Sequence, residues 1–521
     1  MSQRSAASRT PPAVGPAGRG GRFRHRWLVL AVLCVSLLLV SLDNTILNVA
    51  LPDIVRSMHA SASELQWIVD SYVIVFAGLL LVVGSLGDRW GRKWVFLAGL
   101  VVFAAGSATS AFSATPDRLI AARAFMGIGA ASIMPSTLSI LTNVFTDAGD
   151  RARAIGVWSG TSGLGVAIGP IAGGWLLNHY WWGSVFLVNV PIAAVGVAAV
   201  AWLVPNSRNP ASKRPDPLGG ILSIAGMGLL LWGIIDAPTR SWTSPLVLGA
   251  ITSAAVVLAA FVLWERHSSH PMLEMSFFSS RRFSVAVGTM GFVMFALMGG
   301  LFLFTQYLQF SLGYTALQTG IRLAPVAAVV LVAAPLSTVL ARIAGAKPVV
   351  FAGMGLIAAG LMISARVTVH GSYMDVFPAY LLVGTGAGLA FAPATESVMG
   401  SLPPEQAGVG SGTNGAALQL GGGLGVGVLG SLLNTRYQDH LRPVLAHYPM
   451  PKSVLHSITG SLGGALSVAQ SVGGTLGREL ADFARASFVE GMDLAVAVAG
   501  IVVAVAALAV LAFLPNRGRN R

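Results

Sequence analysis

Residues 66–114 read QWIVDSYVIVFAGLLLVVGSLGDRWGRKWVFLAGLVVFAAGSATSAFSA, so that two long apolar runs flank the short basic segment GDRWGRK at 87–93. An α-helix needs about 20 apolar residues to cross the hydrocarbon core of a bilayer, and each run has roughly that length. The segment between the runs has room only for a tight turn, which its glycines permit. The stretch therefore predicts two consecutive transmembrane helices that are joined at one face of a membrane.

The rest of the chain has the same apolar character. Of its 521 residues, 54% are hydrophobic and only 10% are charged, and the mean hydropathy is +0.73. A soluble domain has roughly 25% charged residues, so this chain requires lipid as its main solvent. Further apolar runs bring the number of predicted spans to fourteen. They cover residues 27–50, 66–86, 94–114, 119–144, 153–177, 182–204, 218–236, 245–264, 283–309, 318–341, 348–366, 376–398, 408–433 and 490–514.

The first apolar run follows an Arg-rich segment. Residues 1–26 are also rich in Pro, Gly and Ser, which predicts a disordered cytoplasmic tail. The run at 27–50 is longer than the apolar core of a signal peptide, and no A-x-A cleavage pattern follows it, so we predict an uncleaved first span. The one cysteine, Cys34, lies inside this run, which excludes a disulfide framework and a C-x-x-C site.

Basic residues predict the orientation of the chain, because cytoplasmic loops carry an excess of Lys and Arg. With the N-terminus in the cytoplasm, the inner segments hold 22 of these residues and the short outer loops hold 4. Both termini are therefore expected on the cytoplasmic side of a cell membrane. The net charge of +13 has the same origin, and we do not interpret it as a nucleic-acid surface.

The two halves of the chain contain an internal repeat, which indicates two like bundles. The pattern G-V-x-S-G-T-x-G at 156–163 recurs at 408–415, and G-x-K at 91–93 recurs at 345–347. The repeat pairs spans 1–6 with spans 9–14 and leaves spans 7 and 8 as an insertion. The predicted domains are a first six-helix bundle at 27–204, a linker with the inserted helices at 205–281, a second six-helix bundle at 282–514 that includes an external loop at 434–489, and a cytoplasmic tail at 515–521.

Four motifs lie on the first five spans and the turn between spans 2 and 3. Residues 42–52 read LDNTILNVALP, and residues 119–131 read LIAARAFMGIGAA. The basic turn contains Gly84, Asp88, Arg89, Gly91 and Arg92, and the fifth span contains Gly165, Gly169, Pro170, Gly173 and Gly174. Together these motifs resemble those of the major facilitator superfamily, and the first-span motif is similar to that of its fourteen-helix drug:proton antiporter branch.

The resemblance implies an all-α membrane protein with the major facilitator fold, in which two inserted helices accompany two six-helix bundles. It also implies export of amphiphilic drugs or antibiotics in exchange for protons by alternating access. Asp88 lies where a carboxylate can meet basic residues or a helix N-terminus on the cytoplasmic side, and a contact there that forms in one conformation and breaks in the other would act as a latch. Within that family the fifth-span motif is associated with antiport, although close helix packing alone also explains it. The second half of the chain departs from the pattern, because Arg342 stands in the place of Asp88 and Gly422 in the place of Pro170.

Ionisable side chains within a span cost roughly 3 kcal/mol or more and usually mark function. At 1.5 Å per residue, Asp43 lies about 24 Å from the cytoplasmic face, and Asp70 and Arg123 lie about 6 Å inside spans that enter from outside. All three are expected in the outer third of the first bundle. Because burial disfavours an ionised carboxylate and a nearby cation favours it, Asp43 and Arg123 are predicted to couple proton binding to movement. Asp70 is predicted to support them or to attract a cationic substrate.

Large apolar side chains are candidates for the wall of a substrate cavity. The selected residues are Trp67, Tyr72, Met126, Trp158, Phe304 and Tyr307. The predicted external loop at 434–489 has a helical pattern in its later part, and it either caps the outer mouth or simply connects two spans.

Other classes of protein are weighed against this interpretation. An exporter of a lipid or another native hydrophobic metabolite is not distinguished from a drug exporter, whereas the fifth-span motif disfavours an uptake symporter. An enzyme is disfavoured, because the sequence contains no Walker A segment, no G-x-S-x-G elbow and no His/Cys metal spacing. We therefore expect no cofactor and no metal. The expected partners are a small amphiphilic substrate, protons and the lipid bilayer, while sodium coupling and the oligomeric state are left open.

Overall fold

The computed structural model describes residues 25–207, 215–402, 407–447 and 450–515, and within them the chain forms seventeen α-helices and no β-strand. Fourteen helical segments in these ranges are long and apolar enough to cross a membrane, which confirms the predicted number of spans. The helices are α1 (Arg26–Met58), α2 (Ala62–Trp90), α3 (Arg92–Ala111), α4 (Pro116–Val144), α5 (Ala148–His179), α6 (Ser184–Leu187), α7 (Asn189–Leu203), α8 (Pro217–Arg240), α9 (Pro245–His267), α10 (Arg281–Gln306), α11 (Ala316–Ala344), α12 (Ala346–Ser364), α13 (Tyr373–Met399), α14 (Ala407–Leu445), α15 (Lys452–Gly460), α16 (Leu462–Val472) and α17 (Gly474–Phe513).

Some predicted segments fall outside the described residues. Of the predicted tail at 1–26, only residues 25 and 26 are described, and of the tail at 515–521, only residue 515. The linker after the sixth span is described on both sides of residues 208–214 but not within them.

Local sequence sets where the helices begin and end. At the start of α2, Ser61 Oγ accepts a hydrogen bond from the Glu64 amide (3.3 Å), and the Glu64 carboxylate accepts one from the Ser61 amide (2.7 Å). This reciprocal capping box satisfies two amides that the first helical turn leaves unpaired. A single residue, Gly91, separates α2 from α3. Its φ of +116° is a backbone conformation that residues other than glycine rarely adopt. The predicted tight turn is thus one glycine.

The helices form two groups with an added pair. Helices α1–α7 pack on one another and are called the first bundle, and α10–α14 pack on one another and on α17 and are called the second bundle. The bundles meet along two seams, between α2 and α14 and between α5 and α11. Helix α8 lies against both α2 and α14, where a Cβ on Gly427 would lie 2.6 Å from the Leu231 side chain. Helix α8 therefore covers the α2–α14 seam, and α9 packs on α8.

The predicted external region at 434–489 contains more helix than its sequence pattern indicated. Helix α14 continues to Leu445, α15 and α16 follow, and α17 begins at Gly474, so the described part of this region is largely helical. The buried apolar side chains of α16 recur at helical spacing: Leu462, Ala465 and Ala469. Because one apolar face can pack while the other stays polar, the region folds onto the bundles instead of remaining an open loop.

The short helices α15 and α16 connect the two bundles. Ser461 Oγ donates a hydrogen bond to the carbonyl of Ala60, between α1 and α2 (3.3 Å). Tyr437 Oη of α14 donates one to the carbonyl of Ile458 in α15 (2.9 Å). Of the two alternatives that the sequence left open, this packing favours a cap over the bundle ends.

Candidate functional site

Asp43 and Arg123 form an ion pair inside the first bundle. Arg123 Nη1 of α4 lies 2.6 Å from Asp43 Oδ2 of α1, and the two side chains are 2% and 0% exposed. Loss of one partner of a buried pair costs about 3–5 kcal/mol, because the remaining charge is stranded away from water. The sequence predicted these two residues as partners, and the structure places them in direct contact.

Further groups hold the Arg123 guanidinium. Its Nε donates a hydrogen bond to the carbonyl of Ile68 (3.2 Å), and its Cζ lies 4.3 Å from the ring centre of Tyr72 and 5.8 Å from that of Phe186. A cation over an aromatic face away from water is stabilised by about 2 kcal/mol. These contacts do not involve the Asp43 carboxylate, so the guanidinium keeps partners when Asp43 is neutral.

Sequence reasoning missed Asn189, which completes this site. Asn189 begins α7 and is fully buried, and its Nδ2 donates hydrogen bonds to Asp43 Oδ1 (3.3 Å) and to Ser107 Oγ of α3 (3.2 Å). The amide thereby binds the second carboxylate oxygen and links α1, α3 and α7. The available signal was an amide within the apolar run at 182–204, since a buried polar group needs a partner.

Asp70 lies on α2, at the seam between α2 and α14. Its carboxylate oxygens lie 3.4 Å and 3.3 Å from the positions that Cβ atoms would take on Gly423 and Gly427. The residue is fully buried, and neither oxygen has a hydrogen-bond partner among the described residues. About one turn away, Gln66 Nε2 donates a hydrogen bond to the carbonyl of Gly427 (2.8 Å). The structure therefore separates Asp70 from the Asp43–Arg123 pair, which the sequence had placed at the same depth.

The fifth-span motif packs α5 closely against α1. The glycines that face α1 are Gly165, Gly169 and Gly173. A Cβ on Gly165 would lie 2.6 Å from the Cβ of Ser41, and one on Gly173 would lie 2.7 Å from the Ile46 side chain. Small residues let helix backbones approach closely in a membrane. The segment of α1 between these contacts carries Asp43, so α5 packs directly beside the ion pair.

Another face of α5 forms the seam with α11. A Cβ on Gly174 would lie 2.6 Å from the Cα of Leu317, and one on Gly320 would collide with the α5 backbone. Gly156 and Gly160 share this helical face, yet a Cβ on either would meet nothing within 4 Å. The two helices are therefore in contact where α5 ends and apart where α5 begins.

The predicted latch residues surround the break between α2 and α3. Arg92 Nη1 donates a hydrogen bond to the carbonyl of Ser139 in α4 (3.1 Å), and the Arg92 amide donates one to the carbonyl of Ser207 (3.0 Å). Arg89 is exposed. The side chain of Asp88 lies outside the described residues, so its role as a latch stays a prediction.

We expect Gly91→Ala to lower the unfolding free energy by about 1–2 kcal/mol, the usual cost of a left-handed backbone for a non-glycine residue. The new Cβ would also lie 2.7 Å from the Asn206 side chain. Gly84→Ala is the matched control, because its Cβ would meet Pro135 at an ordinary 3.6 Å. Thermal unfolding of the purified variants measures the difference, and equal midpoints would contradict the assignment of strain to Gly91.

Four of the predicted cavity residues are buried in this conformation. Tyr72 and Met126 have no exposed surface and lie beside Arg123. Phe304 and Tyr307 are buried in the second bundle, where Tyr307 Oη donates a hydrogen bond to the carbonyl of Thr368 (3.0 Å). None of these four side chains borders an opening here, so their contact with substrate stays a prediction.

The remaining two predicted cavity residues are tryptophans in different surroundings. Trp67 packs with residues of α8 such as Ile235, at the edge of the α2–α14 seam. Trp158 lies in the half of α5 that has separated from α11, and its indole Nε1 donates a hydrogen bond to Thr137 Oγ1 of α4 (3.1 Å). Its contact with substrate, like that of the other five, stays a prediction.

Comparison with known proteins agrees with this architecture. The family profile described as Major Facilitator Superfamily matches residues 33–426, which is well over half of the chain. The chain belongs to the major facilitator superfamily. The resemblance that the motifs suggested is thereby confirmed.

Curated relatives of this major facilitator chain are resistance and efflux proteins. It is 33% identical to "Multidrug efflux pump LfrA" of Mycolicibacterium smegmatis, over 94% of this chain and 96% of that protein. It is also 33% identical to "Tetracenomycin C resistance and export protein" of Streptomyces glaucescens, over 96% and 93% of the two chains. "Methyl viologen resistance protein SmvA" of Salmonella typhimurium is 31% identical, over 91% and 96%.

Solved structures share the major facilitator fold at lower identity. A bacterial homologue of the human lysosomal transporter Spinster, in an inward-facing and unoccupied conformation, superposes with a TM-score of 0.68 at 17% identity. The match covers 97% of this chain and 100% of that one. A D-xylose–proton symporter gives a TM-score of 0.60 at 13% identity, over 94% and 98% of the two chains. At these identities the comparison concerns the fold alone.

Proposed function

We propose that this chain exports small amphiphilic drugs or antibiotics in exchange for protons, by alternating access between its two bundles. The observation that carries the proposal is the buried ion pair between Arg123 Nη1 and Asp43 Oδ2, 2.6 Å apart, in the bundle whose α2 and α5 form the two seams. Ionisable side chains inside a membrane span are costly and usually mark an ion pathway. The efflux and resistance relatives support the direction of transport and the class of substrate.

Proton coupling follows from the chemistry of the pair. A proton bound by the Asp43 carboxylate cancels its charge and removes the Coulomb attraction to Arg123, while the guanidinium stays on the Ile68 carbonyl and the Tyr72 ring. Helix α1 is then less tightly held to α4. Because α5 packs on the same segment of α1, this change reaches the seam between α5 and α11.

The unequal state of the two seams supports alternating access. The α5–α11 seam is in contact at one end and open at the other. The α2–α14 seam, by contrast, stays in contact towards the end of α2, where a Cβ on Gly415 would lie 3.0 Å from the Leu80 side chain. With both termini in the cytoplasm, as the charge distribution predicts, the open end faces the cytoplasm. In an exporter that is the conformation that takes up substrate.

Asp70 is assigned a supporting role in the same cycle. Its carboxylate faces α14 of the second bundle, so it becomes accessible only when α2 and α14 separate. A buried carboxylate without a partner favours any change that brings it a proton or a cation. Asp70 is therefore suited to bind a proton or to attract a cationic substrate after the seam opens, separately from the Asp43–Arg123 pair.

Purified protein in liposomes tests the proposal. We would follow internal pH with a trapped dye, impose a pH gradient and add ethidium as an amphiphilic cation. Substrate-evoked proton movement, absent from protein-free liposomes, is the expected result. If folded protein moves no protons with ethidium or with other amphiphilic cations, proton-coupled drug export is contradicted. A lipid, a neutral metabolite or another coupling ion then becomes the better interpretation.

A further inference from the structure

Two carboxylates meet at the base of the inserted helix pair. Asp216 caps the start of α8, and Glu265 lies near the end of α9, so the antiparallel pair brings both to one end of the hairpin. Asp216 is 7% exposed and Glu265 is 2% exposed. Acidic residues are rarely this buried without a cationic partner. The pair lies far along the chain from Asp43 and Arg123, and the transport mechanism above does not use it.

The space beside Gly219 brings the two carboxylates together. A Cβ on Gly219 would lie 2.5 Å from Glu265 Oε1 and 3.0 Å from Asp216 Oδ2. Asp216 Oδ1 accepts a hydrogen bond from the Gly219 amide (2.9 Å), and Oδ2 accepts one from Trp264 Nε1 (2.8 Å). Glu265 Oε2 accepts one from the amide of Leu273 (3.0 Å). Glu265 Oε1 is buried beside Asp216 and has no partner among the described residues.

No described ion pair joins a cation to either carboxylate. Among the described residues, the ionisable side chains on α9 and the linker after it are Arg266, His267, His270 and Glu274, and Arg89 lies at the end of α2. The side chains of Arg266 and His267 are exposed, and the ring of His267 contacts the carbonyl of Leu263. Two adjacent carboxylates away from water cannot both ionise without strong repulsion.

We propose that Asp216 and Glu265 form a proton-binding site in which Glu265 Oε1 carries one proton beside the Asp216 carboxylate. The proton comes from water at that face of the membrane and returns to it when the site ionises. With the proton bound, the pair carries one negative charge and holds the start of α8 against the end of α9. Without it, two negative charges repel at the same place.

The site controls how the linker after α9 is held. Residues 268–280 connect the inserted pair to α10 of the second bundle, and the Leu273 amide is anchored on Glu265. Repulsion between the carboxylates displaces Glu265 and therefore loosens this anchor. The inference does not depend on proton-driven export, because it concerns the inserted pair and not the Asp43–Arg123 site.

Infrared spectroscopy of the full chain in lipid discs tests for the proton directly. A protonated carboxyl group absorbs separately from a carboxylate, so a difference spectrum between wild type and Glu265→Gln isolates the signal of the pair. We expect wild type to contain a protonated carboxyl at pH 6 that disappears as the pH is raised to 9 and that Glu265→Gln lacks throughout. Glu396→Gln is the matched control, because Glu396 is exposed, and it should leave this signal unchanged.

Amide hydrogen exchange over 268–280 provides the second readout. We correct the exchange rates for the pH dependence of exchange in an unfolded chain. The corrected rate in wild type should then rise by about tenfold between pH 6 and pH 9, which is the change expected if the anchored and released linker differ by one pKa unit in proton affinity. In Glu265→Gln, a neutral mimic of the protonated acid, exchange should stay low at both pH values. A purely structural Glu265 would instead make Glu265→Gln exchange faster at every pH.

Two results would overturn the proposal. One is a wild-type spectrum without a protonated carboxyl that depends on Glu265. The other is an exchange rate over 268–280 that does not change with pH but falls when sodium, magnesium or calcium is added. That result would assign the site to a metal cation. Because neither measurement involves transport, failure of this proposal and failure of the export mechanism are distinguishable.

Discussion

Asp43→Asn is expected to reduce ethidium-driven proton movement in liposomes to the level of protein-free vesicles. The amide keeps the size of the carboxylate and can still accept the hydrogen bond from Asn189, but it can neither bind a proton nor pair with Arg123. Transport then loses its link to the proton gradient. Trapped-dye fluorescence under an imposed pH gradient measures the effect, and proton movement at the wild-type rate in Asp43→Asn would falsify the assignment.

The same substitution also leaves the buried positive charge of Arg123 without its counter-ion, so stability must be measured alongside transport. Asp43→Asn should lower the unfolding free energy by about 3–5 kcal/mol, whereas Asp43→Asn combined with Arg123→Gln should recover most of that loss without recovering coupling. Asp236→Asn is the matched control. It breaks an exposed pair with Arg240, which is worth only about 0–1 kcal/mol, and should leave both transport and stability close to wild type.

Gly174→Val is expected to stop transport by forcing the contacting end of the α5–α11 seam apart. A Cβ on residue 174 would lie 2.6 Å from the Cα of Leu317, and a backbone atom cannot move aside as the end of a flexible side chain can. The bundles then cannot close at this end and therefore cannot alternate. The dye assay measures the loss, and Gly249→Val, whose Cβ would meet nothing within 4 Å, should leave transport close to wild type.

A cysteine pair probes the open end of the same seam, in a Cys34→Ser background. Helices α5 and α11 run antiparallel, and Gly163 lies opposite Leu331, so Gly156→Cys and Thr338→Cys are in register but apart in this conformation. This pair should oxidise slowly at rest and faster during turnover, when the open end closes. Undiminished transport by Gly174→Val would argue against alternation at this seam.

Much of the fold was predictable because the bilayer imposes simple rules on sequence. Each crossing needs about 20 apolar residues, so fourteen spans could be counted without any knowledge of packing. Gly91 could be recognised as a turn because two such runs leave it almost no room. The pairing of Asp43 with Arg123 was also predictable, since charges inside spans are rare and costly.

The environment of each site residue was much less predictable. Depth along a helix places Asp70 and Arg123 at one level, but rotation about the helix axis decides that Arg123 meets Asp43 while Asp70 faces α14. Asn189 was missed because an isolated amide in an apolar run has many structural explanations. The aromatic residues chosen for a cavity, such as Tyr72 and Tyr307, proved to be packed core in this conformation.

The sequence by itself determined that this protein crosses a membrane fourteen times and that it belongs to the major facilitator superfamily. Hydropathy, span length and short motifs encode these properties locally. Only the tertiary structure decided that helices α15 and α16 pack over the bundle ends, that the α5–α11 seam is closed at one end, and that Asp216 and Glu265 lie together beside Gly219. These features depend on which helix faces meet, and contacts between segments distant in the chain leave no periodic signal in the sequence.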